Sequence, residues 1–272
     1  MRQLVLHTKC LNAPSLHNSV IKMQAEQRRA LNLRLGTRDL ATVSSFASIY
    51  AVLWFLPMFP VVGAPGKFFP LTNVMAPLIG LMLGPYLGLM ATSIGGFIGW
   101  SLTQSGPLLF LSFVPSAAAS FCSGLLYRGE WKTLFILYTA LFVALAFYPT
   151  IGPGWLFPLY LWFQVLGLFI LASPIRLKAV NSMHKHTKLF ELSWAVAVVS
   201  FIATLFCHVV GNIIFQMIYL SFHPEVNYWR SLWQGLTFLY PFERSIITLL
   251  AAFIGAPLIK ALRTYGFKVG ET

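Results

Sequence analysis

With 272 residues, 57% of them apolar and only 10% charged, the chain lacks the charge to cover a water-facing surface, for which a soluble domain uses about 25%. Its mean hydropathy of +0.74 excludes that class and makes lipid the solvent for most of the surface. The net charge of +12 does not signal a nucleic-acid partner, because the basic residues stand before the first apolar run and between later ones, where they set membrane topology.

Residues 1–38 are polar and basic (Arg2, Lys9, Lys22, Arg28, Arg29, Arg34, Arg38) and lack the apolar core of a cleavable signal peptide. They read as a cytoplasmic segment. A loose stripe of Leu16, Val20, Met23, Leu31 and Leu35 suits either an amphipathic helix on the membrane surface or a solvated tail. Apolar spans follow near 40–62, 71–83, 85–103, 107–127, 133–148, 155–173, 192–220 and 233–262. The second is short enough for a half-span, so the count is six to eight. The expected fold is an all-α, polytopic transmembrane helix bundle of about eight spans over 39–264, with a cytoplasmic tail at 265–272. On that count one side collects the N-terminal segment with Arg128, Lys132, Arg176, Lys178, Lys185, Lys188, Lys260, Arg263 and Lys268, and the other holds Lys67 and Arg230. The asymmetry puts both termini in the cytoplasm.

Span one carries Ala41, Ser44, Ser45, Ala47, Ser48 and Ala51, a flat face suited to another helix of this chain or of a partner. The loop after it, with Gly63, Pro65, Gly66 and Pro70, reads as a turn-rich connector or as a flap on which Lys67, Phe68 and Phe69 cover a ligand. In spans two and three Gly80, Gly84 and Gly88 recur every four residues, Gly95 and Gly99 repeat the spacing, and Gly84-Pro85 forces a turn. Close helix packing alone explains that pattern. Cys122 and Cys207 fall inside spans and pack as small hydrophobes, and with Cys10 they offer no disulfide framework.

Ionisable and amide groups within spans are costly and therefore informative. Span seven aligns His208, Asn212 and Gln216 at i, i+4 and i+8, and span eight buries Glu243 beside Arg244 at a similar depth. Three readings stand side by side: an interhelical clamp, a ligand site, and a proton relay. Neighbours on a helix point about 100° apart, so Glu243 and Arg244 each need another partner. Pro241 frees a backbone carbonyl nearby. His223, Glu225, Asn227 and Arg230 read as a solvated loop, and His184 and His186 among lysines as a surface, with no metal site expected.

Ala47-Ser48-Ile49-Tyr50-Ala51, Pro77-Leu78-Ile79-Gly80, the run Leu83-Gly84-Pro85-Tyr86-Leu87-Gly88 and Gly95-Gly96 together resemble the substrate-binding S component of energy-coupling-factor (ECF) transporters. The resemblance covers about residues 41–127 and extends to the last two spans. It implies a multi-pass protein of a prokaryotic cell membrane that captures a vitamin or cofactor precursor, with no cofactor of its own. Its partners would be a transmembrane coupling subunit, reached through Ala47 and Ala51 with Ser44 on the same face, and ATPase subunits. The family has six helices, so an extra pair is expected within 133–173. No Gly-x-x-x-x-Gly-Lys-Ser/Thr run is present to hydrolyse ATP in this chain, and no catalytic signature marks an enzyme. The expected substrate-binding residues are Glu243, Arg244, His208, Asn212, Gln216, Lys67 and Phe68. The alternative is a stand-alone proton-coupled secondary transporter with Glu243 and His208 as proton carriers, although a site away from the midplane fits alternating access less well.

Overall fold

A computed structural model describes residues 36–62, 66–104, 108–185, 188–267 and 269–270. The amphipathic reading of the N-terminal segment and His186 lie outside the described residues. The chain divides into two units, Met1–Leu40 and Ala41–Thr272. The first is described only over residues 36–40, where α1 begins.

Among the described residues the elements are α1 (Thr37–Leu53), a hairpin of β1 (Pro57–Pro60) and β2 (Phe68–Pro70), α2 (Thr72–Leu83), α3 (Pro85–Thr103) and α4 (Val114–Tyr127), which a 3-10 turn precedes. Then come α5 (Trp131–Ala146), the single turn α6 (Pro153–Leu156), a 3-10 turn (Pro158–Leu161), α7 (Trp162–Ala172), α8 (Pro174–His184), α9 (Leu189–Tyr219) and α10 (Val226–Thr264). The fold is all-α apart from the hairpin. Three helical stretches are long and apolar enough to cross a membrane: Leu109–Tyr127, Leu189–Tyr219 and Val226–Thr264. A fourth crossing appears if Pro158–Ala172 and Pro174–His184, bent by 61°, make one broken span. Phe190, Phe253, Phe238 and Ile136 are each at least 70% exposed, a surface that suits lipid.

The remaining predicted spans are helical but shorter or less apolar, for physical reasons. Span one loses its last third to the hairpin, because Pro57 and Pro60 end helical hydrogen bonding. The sixth span is broken by Pro153 and Pro158 into two short pieces before α7. α8, which lies between the sixth and seventh predicted spans, is a helix for which the Ser173 side chain accepts from Ile175 N as an N-cap. The expected tail at 265–272 is not loose where it is described: Val269 is buried and Gly270 N donates to Met82 O at 2.8 Å.

The glycine spacing has a direct structural counterpart. Gly84 joins α2 to α3 at φ 80°, a left-handed angle that favours glycine, with Pro85 opening the next helix. Across that turn a Cβ on Gly88 would lie 2.9 Å from Gly80 Cα and 2.7 Å from Ser120 Oγ. A Cβ on Gly80 would collide with the Ser120 carbonyl. Backbones of α2, α3 and α4 thus touch at one level. Further along α3, Gly95 receives Ala47 of α1, whose Cα would be 3.0 Å from an added Cβ.

We expect Gly80→Val to lose folded yield and thermal stability in detergent, at a cost of at least roughly 1–3 kcal/mol from overpacking. A Cβ on Gly235 of α10 would meet nothing within 4 Å, so Gly235→Ala should be neutral or stabilising in the same melt.

Candidate functional site

At the hairpin end of the bundle, polar and aromatic side chains from six segments face one cavity. α1 runs out in Trp54, and the hairpin contributes Val61, Phe69 and Pro70. Asn73 opens α2, and Ser112 and Ser116 lie at the start of α4. α9 supplies Cys207, His208 and Asn212, and α10 supplies Leu236, Tyr240 and Arg244. The free space, mouth included, is about 680 Å³, of which about 50 Å³ is wide enough for the centre of a water molecule. The cavity is therefore narrow, with its walls close together.

The residues expected at the site part company here. His208, Asn212 and Arg244 share the cavity wall. Gln216, one turn beyond Asn212, is fully buried outside the lining, with neither amide atom hydrogen-bonded. Glu243 is also buried outside the lining, and its Oε2 has no hydrogen-bond partner. Lys67 turns to the surface and donates from Nζ to Gln104 O at 2.9 Å. Phe68 is 43% exposed and flanks a shallow groove beside Phe55 and Pro57. Its neighbour Phe69 takes the cavity side, because successive residues of a strand point to opposite faces. Ser44 is exposed, and Ala51 half-buried. Ala47 is buried against Gly95, so the expected docking residue faces into its own bundle.

His208 and Asn212 are held by the broken segment and not by Glu243. Asn212 Nδ2 donates to Tyr160 Oη at 3.0 Å, and Tyr160 Oη lies 3.3 Å from His208 Nε2. Turning the Gln164 amide lets its Nε2 donate to the carbonyls of Tyr160 and Leu161 at 3.0 and 3.2 Å. Its oxygen then occupies the position 3.5 Å from His208 Nδ1. The arrangement is self-consistent with Nδ1 carrying the proton and Nε2 accepting from Tyr160, an assignment made from the hydrogen bonds. Tyr160 and Gln164 escaped the sequence reading, although Gln164 is the one amide in an otherwise apolar α7 and sits four residues from Tyr160.

The same segment meets the carbonyl freed by Pro241. Without an N–H at position 241, Thr237 O lacks its helical donor. Trp162 Nε1 donates to it at 3.1 Å. One turn earlier, Trp233 Nε1 donates to Ile151 O at 2.9 Å, ahead of the Pro153 break. Two tryptophans thus cross-tie α10 to a segment whose backbone is interrupted. Arg244 is stacked by aromatics: its guanidinium carbon lies 4.9 Å from the Phe69 ring centroid and 5.6 Å from that of Tyr240. Tyr240 in turn meets His208 edge-on at 4.8 Å.

No family model, curated relative or solved structure matches the chain.

Tyr160→Phe removes the hydroxyl shared by Asn212 and His208 and leaves both groups buried. We expect a loss of about 1–3 kcal/mol, read as a lower melting temperature in detergent. Trp162→Phe should cost a similar amount by stranding the Thr237 carbonyl, while Lys67→Ala should leave the melt unchanged.

Proposed function

We propose that this chain is a membrane-embedded substrate-capture subunit for ATP-driven uptake of a small vitamin or cofactor precursor, like the S components of ECF transporters. The observation that carries the reading is the cavity beneath the β1–β2 hairpin, where aromatic walls surround a few buried polar groups. The charge pattern of the sequence supports eight passes with both termini in the cytoplasm of a prokaryotic cell, which puts the hairpin outside. The cavity then opens toward the incoming solute.

Capture without a nucleotide site requires partners. A coupling subunit would dock on the part of α1 that its own bundle leaves open, around Ser44 and Ser48, with ATPase subunits beyond it. Ser48 Oγ donates to Ser44 O and Ser45 Oγ to Ala41 O, each at 2.9 Å. These hydroxyls are satisfied by their own helix, so an apolar partner helix can cover them without stranding a donor.

Gentle detergent purification of the tagged chain, with mass spectrometry of proteins and small molecules, tests the assignment. Coupling and ATPase subunits together with a retained small molecule are the expected result. A lone protein that drives proton-coupled uptake in liposomes would replace this reading with the stand-alone transporter. Ser48→Trp should strip the partner subunits by tenfold or more while leaving the melting temperature intact. Ala47→Trp, facing Gly95, should instead fail to fold.

A further inference from the structure

Arg244 is 3% exposed, lines the cavity, and has no hydrogen-bond partner at Nε. A guanidinium cannot shed its proton in a protein, so the charge stays where the fold puts it. The rings of Phe69 and Tyr240 offer their faces to the cation, but rings neutralise nothing. The adjacent Glu243 carboxylate feels the Arg244 charge but does not enter the cavity: it lies outside the lining, and its Oε2 has no hydrogen-bond partner. Around Arg244 the wall offers no carboxylate: Ser116 Oγ donates to Asn73 Oδ1 at 3.0 Å, and His208 and Asn212 are held by Tyr160 behind the wall. Among the described residues no anion meets this buried cation on the cavity side.

We infer that the cavity takes a solute with a negatively charged group, a carboxylate or phosphate, seated on the Arg244 guanidinium with its apolar body against Trp54, Phe69 and Phe215. The planar fork of arginine matches two oxygens of such a group at once. The inference names the substrate class of the capture site and rests on the cavity being that site. It does not depend on which subunits assemble with the chain.

Benzoate and benzamide are near-identical in shape and differ in charge, and either is small enough to probe the wall. Binding of each to the full chain in a neutral maltoside detergent is read by thermal shift and by tryptophan fluorescence, Trp54 being in the wall. We expect saturable benzoate binding at millimolar concentration, with benzamide roughly tenfold weaker or more. Arg244→Gln should erase the preference and Arg244→Lys should keep part of it. Equal binding of the two probes, binding of neither, or a benzoate preference that survives Arg244→Gln would each overturn the inference. If Arg244→Gln does not fold, the wild-type ratio of the two probes still decides. Coupling subunits that co-purify with a chain indifferent to charge would retain the uptake role and remove the anion. Benzoate selectivity in a chain without partners would do the reverse.

Discussion

Backbone contact between α2, α3 and α4 is the constraint on which the remainder of the bundle rests. Lipid gives no hydrophobic drive for one helix to seek another, so dispersion across short distances has to supply it. Gly80 and Gly88 meet backbone to backbone, and only small serine side chains stand between them and α4. That contact fixes α4, and α4 packs along α9, which carries His208 and Asn212. On α4 the cavity wall begins at Ser116, one turn from the Ser120 contact.

Where backbone hydrogen bonds fail, side chains of a neighbouring element replace them. Pro153 and Pro158 interrupt the chain before α7, and Pro241 interrupts α10 at about the same level. In an apolar surround each lost bond would be expensive. Trp162 and Trp233 answer two of these gaps in opposite directions, one from α7 to α10 and the other from α10 to the loop before α6. Tyr160 rides on the segment so held and brings its hydroxyl to the α9 amide and imidazole. The irregular backbone and the polar cluster are one construction.

Much of this was legible in the sequence because it rests on local spacing. The four-residue glycine period gave the helix hairpin, the i, i+4 alignment gave His208 and Asn212 one face, and Pro241 marked a freed carbonyl. What was not legible depended on which way a side chain turns after folding. Phe68 and Phe69 are chemically equal, and only the strand register sends the second inward. Gln216 continues the stripe of His208 and Asn212 but falls outside the cavity, because at that turn of α9 its neighbour Phe215 takes the wall. Ala47 and Ser44 look alike as small residues, yet Gly95 makes a socket for one of them. Tyr160 needed the shape of a broken helix, for which periodicity has no signature.

The stack of Phe69 on Arg244 ties the hairpin to the cavity floor through a charge. With the hairpin seated, the aromatic faces shelter the guanidinium. With it lifted, water reaches the same ion and solvates it. Lifting the hairpin would therefore strip the ion of one of its two aromatic faces, so the seat of the hairpin and the burial of the charge stand or fall together.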